Sequence, residues 1–334
     1  RTTTAAASTP RFNHVYNGSS WVSKGLLVEE QRTNINLYSE QFNNAAYSIN
    51  QGVVTANQAS SPDGNTTAEN LTASAGTVNP YVYMALTTAN SSVYTFAIYV
   101  KKNTHDFVQV VLTGVANGFA NFDISSGVVG TLGAGGSATS SIVNVGNGWY
   151  RCIVTYTTAS TSGNGFINLI GSATAGRGAT FTAAGTESVY LWGQQLEIGS
   201  FPTSYIPTTT AAVTRSADVC QITGSDFSGF WNASEGSVAA EYDRLFSASS
   251  ITNASTVFQA FIDGSNNDRY ALFHNSSGTV GERFNVTVGN TEYANLDSGL
   301  SISQTSGKSS TAASPFFTRS CTNDMSSNVE TFLV

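Results

Sequence analysis

Residues Ser188 to Asp218, SVYLWGQQLEIGSFPTSYIPTTTAAVTRSAD, constrain this chain more than any other stretch. They open as a strand with apolar side chains on both faces: Val189 and Leu191 on one side, and Tyr190, Trp192, Leu196 and Ile198 mostly on the other. A strand apolar on both faces must be covered on both, so it belongs in the middle of a sheet and not at an edge. Gly199, Pro202 and Pro207 then stop it, because proline offers a ladder no N–H and fixes φ. The polar run Thr208 to Thr214 reads as a linker. One domain is therefore expected over residues 11–206, a linker over 207–217, and a different unit from Asp218 onward.

The rest of the chain has the pattern of an all-β protein. Its 334 residues leave room for two domains with a sizeable core. Charged residues make up only 10 % and aromatics 11 %, far from the profile of a disordered chain. Val93 to Lys101 alternates most clearly, with Tyr94, Phe96, Ile98 and Val100 on one face. Phe107 to Thr113 repeats the pattern, and Thr104-His105-Asp106 between them reads as a hairpin turn, with His105 a plain loop residue. Ser61-Pro62-Asp63-Gly64-Asn65 is a strong turn signal before a strand at Thr66 to Leu71. Leu26–Val28, Phe119–Ile124, Ser141–Val145, Cys152–Tyr156, Phe166–Ile170 and the closing strand bring the expectation to about eight to ten strands, a number that suits a two-sheet jelly roll. Residues 1–10 read as an extended leader.

Several function classes are excluded on composition. The net charge is −7 with scattered basic residues, whereas nucleic-acid binding needs clustered Lys and Arg. No run of about 18 apolar residues exists and the first residues are polar, so neither membrane insertion nor a signal peptide is expected. The three cysteines, Cys152, Cys220 and Cys321, are far apart in sequence, and Cys152 lies in an apolar strand as a buried thiol would. A reducing cytoplasm fits this usage. His14, His105 and His274 have no partner at metal-ligand spacing, so no metal is expected. No nucleophile elbow, nucleotide loop or other cofactor motif appears, and the Gly-rich bend Gly130–Gly136 lacks the residues that cradle phosphate. Asp263 to Asp268 is rich in oxygen ligands, but without the trailing Glu of a calcium loop it reads as a hairpin turn.

Two stretches together carry a family resemblance. PRFNHVYNGSSWVSKGLLVEEQRTNINLYSEQFNNAAY, from Pro10 to Tyr47, and LWGQQLEIGSFPTSYIPT…AAVTRSADV resemble the opening and closing segments of a domain that recurs in tailed-bacteriophage structural proteins. Asn13 stands where that family usually has Asp, and Ile35-Asn36 where it usually has leucines. The resemblance implies a jelly-roll, carbohydrate-binding-module-like domain in a tail fibre-like protein. In such domains a Gly-Trp-Tyr-Arg, here Gly148 to Arg151, begins a core strand, so Trp149 is expected to pack and not to stack on sugar. Beyond Asp218, Val219–Gly224 reads as a strand, and Glu235-Gly236-Ser237 leading to Tyr242 is similar to the start of a concanavalin A-like (laminin G-like) sandwich. That second region, smaller than usual, is assigned to residues 218–300, with Val257–Ile262 and Arg269–His274 as a hairpin and Phe284–Val288 as a further strand. Residues 301–334 form a Ser/Thr-rich tail.

What the resemblance implies is a non-enzymatic virion protein, assembled in the bacterial cytoplasm, contacting host surface polysaccharide as a homotrimer alongside other virion proteins. A sugar site needs an aromatic platform with polar neighbours, and Tyr81, Tyr83, Tyr94, Tyr99 and Trp231 are the candidates. A capsid decoration protein with no glycan role is one alternative. A polysaccharide depolymerase is the other, with Glu235, Glu241 and Asp243 as its carboxylates, since glycoside hydrolysis needs two that face each other. Glu29 and Glu30 are adjacent and, in a strand, would point to opposite faces; a salt bridge with Arg32 or a solvated edge is the expected role, not catalysis.

Overall fold

A computed structural model describes residues 9–114, 118–133 and 138–230, and beyond them the backbone of six strands, with side-chain detail there only at Ala271. The chain divides into two units, Arg1–Cys220 and Gln221–Val334. No helix among the described residues is long and apolar enough to cross a membrane.

The strands of the first unit, in chain order, are β1 (Phe12–Tyr16), β2 (Trp21–Leu26), β3 (Arg32–Asn34), β4 (Tyr47–Asn50), β5 (Gly52–Ala59), β6 (Ala68–Ala73), β7 (Gly76–Val78), β8 (Tyr81–Thr87) and β9 (Val93–Lys102). They continue as β10 (Phe107–Leu112), β11 (Phe119–Asp123), β12 (Val128–Leu132), β13 (Thr139–Asn144), β14 (Trp149–Thr157), β15 (Ser162–Leu169), β16 (Phe181–Ala183), β17 (Ser188–Ile198) and β18 (Val213–Arg215). Two six-stranded antiparallel sheets form the body: β12-β11-β10-β15-β8-β4 and β13-β14-β9-β17-β6-β5. The all-β sandwich expected from the sequence is present, with more strands than the alternation suggested, because β4, β5 and β12 are short or largely polar.

The pairings β6 with β17, β8 with β15 and β9 with β14 nest inside one another along the chain. One long hairpin thus winds across both sheets, which is the jelly-roll path. Phe96, Ile98 and Val100 of β9 meet Val82 and Met84 of β8 and Ile167 and Leu169 of β15 in the single large core between the sheets.

As its composition demands, β17 is an inner strand, flanked by β9 and β6. Its faces differ from simple alternation. A β-bulge falls between Trp192 and Gln195, with Gly193 at φ +64°. The extra residue re-aims the side chains after it, so Leu196 joins Val189 and Leu191 in the core instead of sharing the face of Trp192. Trp192 packs on the opposite side with Trp149 and Tyr205.

Thr104-His105-Asp106 is not a hairpin turn. β9 and β10 belong to opposite sheets, so this segment arches between them. The Thr104 and His105 N–H groups both donate to Ser188 O at 3.1 Å. His105 Nε2 lies 2.8 Å from Ile170 O, and its ring stacks on Phe181. Local alternation reveals a strand but not which sheet it joins.

Residues 207–217 are packed onto the first unit and do not link two bodies. β18 pairs with β3, and the Thr208 N–H donates to Ser39 Oγ at 2.9 Å. The hydroxyls that look solvent-seeking in sequence satisfy buried polar groups of the opening segment, and the division between units falls after Cys220. Cys152 is buried and Cys220 exposed, both as free thiols; burial pushes the Cys152 thiol up.

Val219–Gly224, which spans the division between the units, is not a strand. The chain turns instead into the short helix α1 (Gly224–Ser228), with none of its residues buried. β19 (Ser237–Tyr242) pairs antiparallel with β24 (Asn328–Leu333), so the end of the Ser/Thr-rich tail returns to the first strand of its unit. β20 (Ser255–Phe261), β21 (Arg269–Asn275), β22 (Gly281–Val288) and β23 (Thr291–Asp297) form a four-stranded sheet in chain order, which includes the expected hairpin.

Candidate functional site

Strand β8 alternates strictly. Val82, Met84 and Leu86 enter the core, so Tyr81, Tyr83, Ala85 and Thr87 face outward. Pairing with the neighbouring strands sets the rows of this outer face. One row runs Asn50–Tyr81–Asn168–Gln109–Asn121, and the next runs Ser48–Tyr83–Phe166–Val111–Phe119. Ala85 opposite Asn164 and Thr87 opposite Ser162 complete the strip.

Tyr83 and Phe166 stack with ring centroids 4.7 Å apart and planes 22° apart. Tyr81 meets Phe166 edge-on at 5.2 Å and Tyr83 at 5.9 Å. All three rings are half-buried, and neither phenol bonds to another described residue. The cluster is thus a fixed apolar surface with two free hydroxyls beside it. A cleft of about 370 Å³ continues from it, lined by Ala85, Thr87, Thr113, Ser162 and Asn164. Gly163 is needed at its floor, since a Cβ there would lie 2.4 Å from Thr113 O.

The other half of the face is closed. Val111, Phe119, Gln109 and Asn121 point away from the core yet are buried. Gln109 Nε2 donates to Gly176 O at 3.0 Å and to Asn121 Oδ1 at 2.7 Å, and Asn121 Nδ2 donates to Ala173 O and Ala175 O. The Gly178 N–H returns a bond to Gln109 Oε1 at 2.7 Å. These amides pin the segment Ser172–Gly178 over β10 and β11 as a wall beside the aromatic strip. Asn168, buried at the boundary, bonds Asn79 Oδ1 through Nδ2, while its Oδ1 has no partner among the described residues.

Of the described candidates read from the sequence, only Tyr81 and Tyr83 share this surface. Tyr94 is core, because even positions of β9 face inward, and its hydroxyl accepts the Ala89 N–H. Tyr99 lies on the outer face of the other sheet, wedged between Trp192, Tyr205 and the Arg151 guanidinium. Trp231 lies outside the described residues, as do Glu235, Asp243 and the Asp263–Asp268 turn; Glu241 is located only by the backbone of β19. Phe166 is not among the sequence candidates. Its signal is the β8–β15 register, which a lone sequence does not display. Trp149 packs as expected, with Nε1 bonded to Ser60 O.

Glu29 and Glu30 diverge, but the pairing with Arg32 falls to the half-exposed Glu30. Buried Glu29 accepts from Arg11 at 2.9 Å, from Arg215 at 2.7 Å and from the Ser204 N–H at 2.8 Å. Asp218 completes the group by pairing with Arg11 and accepting the Glu29 N–H at 2.7 Å. Burial would push the Glu29 carboxyl up, but Arg215, Ser204 and Arg11 outweigh it and hold it below its usual range. Nearby, Asn34 Nδ2 donates to Ile206 O and Asn34 Oδ1 accepts the Leu196 N–H, while Glu197 accepts from the Thr203 N–H and Oγ1. The two motif-bearing ends of the domain are therefore one buried polar clasp, with a structural role.

A second cleft, of about 290 Å³, holds Glu40 and Glu69 among Asn43, Asn57 and Thr67. Burial pushes both carboxyls up, Glu69 to about 7. Glu69 accepts the Asn43 N–H and Glu40 the Tyr205 hydroxyl, so each is engaged within the fold. Among the described residues no group of three or more His, Cys, Asp or Glu could hold a metal.

No family model and no curated protein matches the chain. Among solved structures, it is similar to the enzymatically active domain of bacteriophage CBA120 tailspike protein 4, with 11 % identity and a TM-score of 0.32 over 49 % of this chain and 21 % of that one. A putative sugar binding protein from Bacteroides thetaiotaomicron is similar at 9 % identity and a TM-score of 0.27, over 49 % of this chain and 94 % of that one. This chain thus spans about a fifth of the tailspike chain's length, and likeness at this level bears on neither ligand nor activity.

Proposed function

We propose that this chain is a bacteriophage virion subunit of the tail-fibre kind that holds a host-surface glycan on the outer face of its sandwich and does not cleave it. The observation that carries the glycan reading is the Tyr81–Tyr83–Phe166 cluster, fixed on an open sheet face and continuous with a polar cleft. Pyranose rings present apolar C–H faces and hydroxyl rims, and an aromatic surface flanked by amides and hydroxyls complements both. Half-burial holds the three rings in place, so little side-chain entropy is lost on binding.

The virion reading is supported by the paired motifs at the two ends of the domain, whose residues meet in the clasp around Glu29 and Asn34. A homotrimer with other virion proteins as neighbours belongs to the same reading, closed symmetry being the general expectation for such assemblies. The test is incubation of the purified chain with host cells and their extracted polysaccharide, scoring retention and reducing-end release together. Retention without release is the expected result. Release of reducing ends would replace this reading with a depolymerase, and a folded oligomer retained by neither would replace it with a decoration protein.

A further inference from the structure

We infer that the outer face takes an uncharged glycan chain laid lengthwise along β8 and β15, an inference that rests on the glycan reading above. Two sets of observations carry it. The first is chemical. The open strip presents Asn50, Ser48, Tyr81, Tyr83, Asn164 and Thr87, all neutral donors, acceptors or rings. An anionic polymer carrying uronate, sialate or phosphate groups is held by Arg or Lys forks, and it would also meet the repulsion of a chain of net charge −7. A cationic polymer would need carboxylates on the strip. Asp123, at the far side on β11, already turns its carboxylate onto Ser125 and Ser126. The strip is built to exchange hydrogen bonds with hydroxyls and apolar contact with ring faces.

The second set is geometric. A chain crossing the strands would have to pass over Val111 and Phe119, which are 4 % and 5 % exposed on the closed half of the face. The pinned segment Ser172–Gly178 stands in the way there. Along the strands the surface stays open, from Tyr81 past Tyr83 and Phe166 to the cleft at Thr87 and Asn164. At about 3.3 Å per residue this is a track of about 20 Å, long enough for several sugar units in a row. The wall brings one cation, exposed Arg177, and on this account it takes no part in binding.

The test is titration calorimetry of the full chain with length ladders of neutral gluco-, manno- and galacto-oligosaccharides, with a uronic-acid polymer, and with the host polysaccharide. A neutral ladder is expected to bind, with affinity rising with length and levelling once the track is filled. Raising the salt from about 0.1 M to about 1 M, which shortens the screening length from about 10 Å to about 3 Å, should change that affinity less than about twofold. Arg177→Ala should leave it unchanged. Preference for the uronic-acid polymer, weakened by salt or by Arg177→Ala, would overturn the uncharged class and leave the glycan reading standing. Saturation by a monosaccharide with no gain from length would overturn the lengthwise track alone. A folded chain that binds none of these would remove the glycan reading itself.

Discussion

Glu29 and Arg215 lie 186 residues apart in sequence and meet in a buried ion pair of 2.7 Å. Arg11 reaches the same Glu29 oxygen at 2.9 Å, so one carboxylate serves two buried guanidinium groups. The arrangement ties the opening segment of the domain to its closing segment, which follows the inner strand β17.

Glu29→Gln should therefore be costly. It leaves Arg11 and Arg215 buried with their shared counter-charge removed, a situation that typically costs about 3–5 kcal/mol. Denaturant unfolding followed by the fluorescence of buried Trp149 and Trp192 reads the loss directly. A change below about 1 kcal/mol would mean that the clasp contributes little to closure.

The same residue makes the sandwich acid-sensitive. The Glu29 carboxyl is held below its ordinary value of 4.5, so its contribution to stability is present above that value and is lost as pH falls through the lower folded value. Stability measured from pH 4.5 downward should fall, and the fall should be shallower in Glu29→Gln.

Glu69 acts with the opposite sign. Burial raises it from 4.5 to about 7, against the opposing N–H bonds of Asn43 and Phe42. Its protonated form is favoured in the fold, so its contribution is complete below 4.5 and is lost as pH rises through about 7. Glu69→Gln should remove this dependence and be more stable than the parent at pH 8, by an amount on the order of 2 kcal/mol. Identical pH profiles for the two proteins would contradict the assignment.

Gly193→Ala tests the bulge. The residue sits at φ +64°, and an added Cβ would lie 3.0 Å from Tyr99 Cδ2. Left-handed strain of about 1–2 kcal/mol adds to whatever Tyr99 must yield. A lower unfolding midpoint with an unchanged denaturant slope is the expected signature.

What was legible in the sequence was what local chemistry dictates. β17 announced itself as an inner strand because its residues are apolar on both faces, and β9 because Tyr94, Phe96, Ile98 and Val100 alternate. Turns of direction were not legible. Nothing in Thr104-His105-Asp106 tells a hairpin from an arch between sheets, and the bulge that sends Leu196 into the core depends on one glycine inside a strand. The run Thr208–Thr214 looks like a linker because its partners, Ser39 and the β3 strand, lie some 170 residues earlier. Two of the three rings of the aromatic cluster were legible for the same reason: Tyr81 and Tyr83 share one strand, while Phe166 reaches them only through a pairing between distant segments.

Substitution of Tyr83 shows whether Tyr81, Tyr83 and Phe166 form the glycan-binding surface. Affinity for host-surface polysaccharide is measured for the parent and for Tyr83→Ala, with thermal unfolding of both as the control. The expected result is a loss of about tenfold or more, equivalent to about 1.4 kcal/mol, while the unfolding midpoint stays within a few degrees. Undiminished binding by a folded Tyr83→Ala protein would contradict it.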